Sequence, residues 1–119
     1  MLKYVKINTD GTWSVHNWPR DEKVQAGILR AEIAPVCAVV HIEDDLLMWV
    51  DDQGYLTNLP INELAWNLSR SRYGYQPMVG DVIITGPGKP DGSTPGLKAK
   101  ELEAVVGRIA FHQELTVPF

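Results

Sequence analysis

The stretch LLMWVDDQGYLTNLPIN, from Leu46 to Asn62, constrains the fold more than any other part of the chain. Its first five residues form an apolar run of large side chains, which is typical of a strand. The turn sequence Asp51–Gly54 follows, and Gly54 can take the positive φ that tight turns require. The pattern predicts a second strand over Tyr55–Thr57, which Leu59-Pro60 ends, and then a helix capped at its N-terminus by Asn62.

Three further segments have the composition of strands. Asp10-Gly11 lies between the β-rich runs 2–7 and 12–16, which predicts an N-terminal hairpin. The run IAPVCAVVHI, residues 33–42, is nearly continuous in apolar residues and predicts a strand that is covered on both faces, with Pro35 at its start. Residues 79–85 predict another strand, because Gly86-Pro87 stops it. Glu43-Asp44-Asp45 is predicted to be the turn before Leu46.

Helical periodicity appears in three places. Asp21 can cap a short helix whose apolar face includes Val24 and Ile28, and residues 62–71 predict a second helix. Residues 97–113 predict a last helix, although Gly107 leaves open an alternative that ends there and adds a strand at 109–111. We therefore predict one domain with an α+β fold: a mixed, mostly antiparallel sheet of about five to six short strands with two to three helices.

Charge and composition restrict the kind of partner. The 119 residues carry a formal net charge of −4, which argues against generic electrostatic binding to nucleic acid or anionic membrane. The single cysteine, Cys37, fits a reducing compartment and is interpreted as a buried small hydrophobic residue. No run reaches the roughly 20 apolar residues that span a bilayer, and the N-terminus has no signal-peptide pattern. We expect a cytosolic protein with no membrane association.

A resemblance to a known family rests on the central stretch and on the strand that follows it. The matching residues are Met48-Trp49-Val50-Asp51, Gly54, Leu56, Leu59-Pro60, Asn62, Ala65, Gly80-Asp81-Val82 and Gly86. In these positions the chain resembles the family of domains of unknown function numbered 3846, small proteins found largely in bacteriophages and other bacterial mobile elements. It departs from the family pattern at Trp66. The resemblance implies a phage origin and a location in the host cytoplasm, whereas no activity is assigned to the family.

Residues that could support catalysis or metal binding are present, but their spacing does not form a site. His16, His41 and His112 are far apart and lack zinc-ligand spacing, so no metal site is predicted. Ser14 and His16 could face one side of a strand, but no third group is indicated. We therefore predict no catalytic residues and no cofactor, and we expect a protein that is not an enzyme.

Two loops and one aromatic residue remain as candidate binding positions. The loop 86–96, GPGKPDGSTPG, lacks the Gly-Lys-Ser/Thr core of a P-loop, and it is predicted to be a mobile loop or, second, a partner contact. Amides at 94–97 could meet an anion where the following helix begins. The segment 69–75, SRSRYGY, combines arginine with tyrosine, as protein interfaces and base-stacking surfaces do. The candidate binding residues are Arg70, Arg72, Tyr73, Tyr75, Lys89 and Trp49.

These observations lead to two functional hypotheses from different classes. The first is a non-enzymatic binding protein of a phage or mobile element that acts on a host protein or a small ligand. The alternative is a nucleotide-acting hydrolase or transferase that uses the loop 86–96 through Lys89, or a nucleic-acid binder through 69–75. Nucleic acid is the less favoured partner because the chain is acidic. A homodimer, through a sheet face carrying Trp13, Trp18 and Trp49, is left open.

Overall fold

Within the described residues, five short strands and three α-helices make up the fold. The computed structural model describes residues 2–73 and 76–115, without the side chains of 70–73 and 114–115. The strands are β1 (Lys3–Ile7), β2 (Trp13–Asn17), β3 (Cys37–His41), β4 (Leu47–Asp51) and β5 (Val82–Thr85), and the helices are α1 (Glu22–Glu32), α2 (Glu63–Tyr73) and α3 (Ala99–Leu115). The strands form one sheet in the order β2-β1-β5-β4-β3, and every neighbouring pair is antiparallel. The predicted α+β class is confirmed.

The sheet has helices on both faces, but they cover it unequally. Val5 and Ile7 of β1 lie in the main core with residues of α2 and α3, and we call this side the α2/α3 face. The alternate residue Tyr4 lies on the other side with Trp18 and Ile83, where α1 packs, and we call this the α1 face. Helix α1 itself has no buried residue. One face therefore holds most of the core, and the other is thinly covered.

Local signals explain where the helices begin and end. The Asp21 carboxylate accepts hydrogen bonds from the backbone N–H groups of Lys23 (2.8 Å) and Val24 (3.4 Å), which is the predicted N-cap of α1. Val24 itself is exposed, contrary to its predicted place on the apolar face. Helix α3 continues through Gly107 to Leu115, so the alternative of a terminal strand at 109–111 is wrong. None of the helices among the described residues is long and apolar enough to span a bilayer.

The predicted strand at Tyr55–Thr57 is wrong. The backbone N–H of Thr57 donates to Gln53 O (3.1 Å) and that of Leu59 donates to Gly54 O (3.0 Å), so the segment forms compact turns after β4. Gly54 does not have a positive φ, whereas Asn58 has a φ of 53°. A Cβ on Gly54 would lie 2.8 Å from Val79 Cγ2, so Gly54 is needed for a close approach of two segments.

Two other predictions require correction, one about which strand is covered on both faces and one about where α2 ends. The run 33–42 was expected to form a strand covered on both faces, but β3 is an edge strand with Val39 exposed. The strand buried on both faces is β5, in the middle of the sheet, where all four residues are buried. Apolar composition indicates burial on at least one face, but it does not decide the order of strands. The backbone of α2 is also helical to Tyr73, past the predicted end at 71.

The turn between β3 and β4 provides a first test of backbone strain. Asp44 (φ 61°) and its neighbour Asp45 (φ 57°) both lie in the left-handed region, as the central residues of a type I′ turn do. We expect Asp44→Gly to raise the free energy of unfolding by about 0.5–1 kcal/mol, because glycine adopts this conformation without steric cost. Denaturant unfolding would measure the change. Asp52→Gly is the matched control and should be destabilising, because Asp52 has no positive φ; equal effects of the two would refute the explanation.

Candidate ligand groove

The base of the loop 86–96 is joined to the sheet by backbone hydrogen bonds. The N–H of Gly86 donates to Pro95 O (3.0 Å), which closes the loop on itself. Leu97 N–H donates to Lys3 O (2.7 Å), and Lys3 N–H donates back to Leu97 O (3.2 Å). These bonds place the loop beside the start of β1, so the segment expected to be mobile has a fixed base.

A groove of about 760 Å³ lies between this loop, the two ends of the N-terminal hairpin and the first turn of α1. Its volume is in the range of about 300–1,000 Å³ that is usual for small-molecule sites. The lining residues are Leu2, Trp18, Pro19, Arg20, Glu22, Gln25, Lys89, Ser93, Thr94, Pro95 and Gly96. Five of them, Lys89 included, come from the loop 86–96, and the other six come from the part of the chain between residues 2 and 25.

Hydrogen bonds and close packing hold the floor of the groove. Trp18 is 3% exposed, and its indole Nε1–H donates to Thr94 O (3.0 Å). Gln25 Nε2 donates to Pro19 O (2.7 Å) and also contacts Thr94 O (3.4 Å). A Cβ on Gly96 would lie 2.8 Å from Trp18 Cβ, so only glycine allows the loop to approach the indole this closely. The floor is largely apolar, and the N–H groups that Trp18 and Gln25 bring to it donate to carbonyl oxygens of the protein.

Two cations and one acid are the ionisable groups of the described lining. Arg20 and Glu22 come from the hairpin–helix junction, and Lys89 comes from the loop. Neither Arg20 nor Lys89 forms an ion pair within 4 Å with any described carboxylate. The pKa of the Asp91 carboxyl at the loop tip is lowered, chiefly because Ser93 donates hydrogen bonds to it. The nearby charge of Lys89 lowers this pKa further. The groove therefore combines an apolar floor with two cations that are available to a ligand.

The predicted binding residues divide between the groove, another surface and the undescribed part of the chain. Lys89 lines the groove. Trp49 lies on the α1 face, half-buried, where its indole Nε1–H donates to Thr85 Oγ1 (2.9 Å), and it does not line the groove. The side chains of Arg70, Arg72 and Tyr73, and the whole of Tyr75, lie outside the described structure.

The tryptophans do not form one surface as the sequence suggested. Trp13 pairs with Ile7 and packs against the core on the α2/α3 face, whereas Trp49 packs on the α1 face. Trp18 follows β2 and packs with Tyr4 on the α1 face, with the two rings edge to face and 5.4 Å between their centroids. Trp18 and Trp49 therefore lie on one face of the sheet and Trp13 on the other, so the three tryptophans do not form a single surface.

Sequence reasoning missed the groove residues just before α1 and in its first turn, namely Trp18, Arg20, Glu22 and Gln25. Trp18 was considered only as part of a sheet face with Trp13 and Trp49, and Asp21 only as a cap. The available signal was weak: a loop rich in glycine and proline must close against some other segment, and a buried tryptophan must find an acceptor for its N–H. Nothing in the sequence identifies that acceptor as Thr94.

Ser14 and His16 do face the same side of β2, as predicted. Ser14 Oγ lies 2.7 Å from His16 Nε2, and the imidazole stacks on Tyr4 with 5.0 Å between ring centroids. Within the described residues, the second ring nitrogen of His16 has no hydrogen-bond partner, and neither residue lines the groove. A nucleophile–base pair needs an oriented base and a place for substrate. This pair has neither.

Tyr4 is the group in this region with the most altered acidity. Its hydroxyl donates to Glu32 Oε2 (2.8 Å), and Glu32 also lies 3.8 Å from Lys6 Nζ. Burial, and then the hydrogen bond and charge of Glu32, raise the pKa of Tyr4 to about 12. The hydroxyl thus stays protonated and anchors the C-terminal end of α1 to β1.

Anion, metal and thiol chemistry are not favoured elsewhere in the described structure. At the start of α3, Lys98 N–H donates to Glu101 Oε1 (2.8 Å), and Leu97 N–H is taken by Lys3, so these amides are occupied. No cluster of three or more histidine, cysteine, aspartate or glutamate residues that could hold a metal ion occurs among the described residues. Burial raises the pKa of the Cys37 thiol, which disfavours the reactive thiolate.

Together, the fold and the groove define a small α+β protein with one antiparallel sheet and a ligand-sized recess beside its N-terminal hairpin. The family model described as Domain of unknown function (DUF3846) matches residues 5–109, so the chain belongs to this family. No curated protein and no solved structure matches the chain.

Proposed function

We propose that the protein is a non-enzymatic binding protein whose site is the groove between the loop 86–96 and α1, and whose ligand is a small organic anion with an apolar body. The observation that carries the proposal is the pair of cations, Arg20 and Lys89, beside an apolar floor of ligand-sized volume. Neither cation forms an ion pair within 4 Å with a described carboxylate. A ligand carboxylate, sulfonate or phosphate would therefore gain charge-assisted hydrogen bonds there.

The rest of the ligand is specified by the floor. Leu2, Pro19 and Pro95 present apolar surface, and the polar atoms of Trp18 are already hydrogen-bonded within the protein. An apolar body placed on this surface would gain the usual contribution from burying apolar area, about 25 cal/mol per Å². A small, fully hydrated ion would gain nothing from it.

The alternative of a nucleotide-acting hydrolase or transferase has less support. The described lining contains Glu22 as its only carboxylate and contains no histidine, cysteine or aspartate. A general base must lie within hydrogen-bond reach of the proton that it removes, and Glu22 would have to perform every such role by itself. Binding requires only the charges and the shape. The phage or mobile-element origin that the family resemblance implies is part of the proposal, and it would make the bacterial host the source of the ligand.

The probe for this proposal is anilinonaphthalene sulfonate, which has one sulfonate on an aromatic body. We expect the folded protein to bind it with an increase in probe fluorescence. Arg20→Ala and Lys89→Ala should each weaken the binding about tenfold, because a hydrogen bond to a charged group is worth about 1.5–3 kcal/mol. Glu22→Gln should tighten it, because the change removes a like charge from the groove. Fluorescence titration would measure all three.

The controls separate charge recognition from general stickiness. Arg30→Ala removes an exposed cation from α1 that does not line the groove, and it should leave the affinity unchanged. The neutral analogue N-phenyl-naphthylamine should bind equally to the wild type and to the Arg20 and Lys89 variants. Equal loss for both probes, or no loss for the sulfonate, would contradict the proposal.

A further inference from the structure

The outer edge of β3 has backbone groups that no described residue pairs. Asp52 N–H donates to Val36 O (3.1 Å) and Ile42 N–H donates to Leu46 O (2.9 Å), so the even-numbered residues of this segment bond to β4. In an antiparallel ladder the intervening residues direct their N–H and C=O groups to the other side. Cys37 and Val39 therefore present theirs to the free edge, because β3 is the last strand of the sheet.

This edge lacks the features that keep strand edges from pairing. Natural edge strands are usually protected by charged side chains, proline, bulges or a covering segment. From Val36 to Val40 the sequence is VCAVV, without a charge, and Pro35 precedes the strand. Val36 is 57% exposed and Val39 is 38% exposed. An apolar, uncharged edge that is open to solvent has the properties of a pairing surface.

The other edge of the sheet differs in chemistry. β2 carries Ser14 and His16, which hydrogen-bond to each other, and Asn17, which accepts a hydrogen bond from the Lys3 ammonium. Trp13 and Val15 are the apolar residues of this strand, and its other side chains are polar and already engaged. The two edges of one sheet are therefore not equivalent, and β3 is the one that favours association.

We propose that β3 pairs with β3 of a second copy of this chain, antiparallel about Val39. The resulting dimer has one continuous sheet, with five strands from each copy. In this register Val39 lies opposite Val39 of the partner and exchanges both backbone hydrogen bonds with it. Ala38 lies opposite Val40 of the partner, so small apolar residues meet on the α2/α3 face. The strand is thus complementary to itself and needs no foreign segment.

Charge favours the antiparallel arrangement over the parallel one. The acidic turn Glu43–Asp45 follows the C-terminal end of β3. Glu43 is paired with Arg108, but parallel pairing would still place the exposed Asp44 carboxylates of the two copies side by side, where like charges repel. Antiparallel pairing places each turn beyond the N-terminal end of the partner strand, near the uncharged segment 33–36. The two-fold symmetry is closed, and the polar β2 edges remain outermost, so association should stop at two copies.

The dimer is independent of the proposed ligand site. The groove lies beside β1 and β2, at the opposite side of the sheet from β3. Each copy would keep its own groove open, so the dimer could form whether or not the groove binds an anion.

Sedimentation of the intact chain over a range of concentrations tests the dimer. The wild type should sediment as a monomer–dimer equilibrium, and Val39→Lys and Val39→Pro should each weaken the dimer at least about tenfold, a change of about 1.4 kcal/mol. Proline at 39 removes an outward N–H and leaves the β3–β4 ladder intact. Val15→Lys and Val15→Pro are matched controls, because Val15 is 39% exposed at the centre of the β2 edge, and they should leave the dimer unchanged.

Hydrogen exchange on the wild type provides a readout that needs no variant. The amide of Val39 should be protected at high protein concentration and lose its protection on dilution. A chain that stays monomeric up to about 1 mM, a limit at which the binding free energy is only about −4 kcal/mol, would overturn the proposal. So would equal effects of the Val15 and Val39 variants, or growth beyond two copies. A heterologous partner strand that protects Val39 while the protein alone remains monomeric would replace the second copy as the occupant.

Discussion

Asn62→Ala is expected to lower the free energy of unfolding by about 3–5 kcal/mol, the largest effect of any single substitution proposed for this chain. Asn62 is 1% exposed, and its Nδ2 donates to Ile7 O (3.1 Å) and Gly80 O (3.0 Å). Its Oδ1 accepts from the N–H of Ala65 (3.1 Å), which is the N-cap of α2. Alanine removes the cap and leaves two carbonyl oxygens without their donor, far from water.

Asn62→Asp separates the cap from the two buried hydrogen bonds that Nδ2 donates. Aspartate keeps an acceptor for Ala65 N–H, but its carboxylate faces two carbonyl oxygens, which raises its pKa in the folded state. The folded protein then binds a proton more tightly than the unfolded chain does. The stability of this variant should therefore fall as pH rises through the unfolded and then the folded pKa, and it should recover on acidification. Denaturant unfolding of variant and wild type at several pH values would measure this.

Asn67→Ala is the control for both substitutions. Asn67 lies within α2, half-buried, and alanine is the better helix former, so the free energy of unfolding should be unchanged or slightly higher. If Asn62→Ala costs no more than about 1 kcal/mol, the two buried hydrogen bonds are replaced by water, and the role of Asn62 is reduced to that of a cap.

Gly86→Ala is expected to lower the free energy of unfolding by about 2–3 kcal/mol, as overpacking in a closed site does. A Cβ at this position would lie 2.4 Å from Gly96 O and 3.0 Å from Pro95 O. Both contacts are backbone atoms, which cannot rotate away as a flexible side chain would. The base of the loop must therefore open, and the hydrogen bond from Gly86 N–H to Pro95 O must lengthen. Because Pro95 and Gly96 line the groove, binding of the sulfonate probe should weaken as well.

Two other glycines show what the same substitution does without that contact. In Gly88→Ala the Cβ would meet only Leu47 Cδ1 at 3.5 Å, an ordinary contact, so stability should hardly change. In Gly107→Ala the Cβ meets nothing within 4 Å inside α3, and stability should rise by about 1 kcal/mol. Thermal and denaturant unfolding of the three variants would rank them. A Gly86→Ala protein as stable as the wild type would show that the loop closes differently.

Predictions from the sequence were correct where neighbouring residues decide the structure. Asp10-Gly11 produced the expected hairpin, with the N–H of Gly11 bonded to Asn8 O (3.1 Å). The stripe of α3 was predicted from helical spacing, and Val105 and Ile109 are fully buried. Each of these depends on a backbone requirement or a periodicity that a short window of sequence contains.

Predictions failed where a distant segment competes for the same residues. The segment 55–57 has strand composition, but it lies in compact turns with backbone hydrogen bonds to Gln53 and Gly54, and it packs towards Val79 instead of joining the sheet. The run 33–42 has the composition of a central strand and occupies an edge, because β1 and β5 pair and take the centre of the sheet. The groove was missed for the same reason, since its floor depends on Trp18 meeting Thr94 across 76 residues of sequence.

By itself, the sequence determined the α+β class, the N-terminal hairpin and the two helix caps at Asp21 and Asn62. Those features depend on turn chemistry, side-chain period and capping, which act over a few residues and have the same physics in any fold. Only the tertiary structure decided which strand is left at an edge, what Asn62 does beyond capping, and which side chains line the groove. These depend on contacts between segments far apart in the chain, whose formation reflects the packing of the whole sheet and is encoded in no single window.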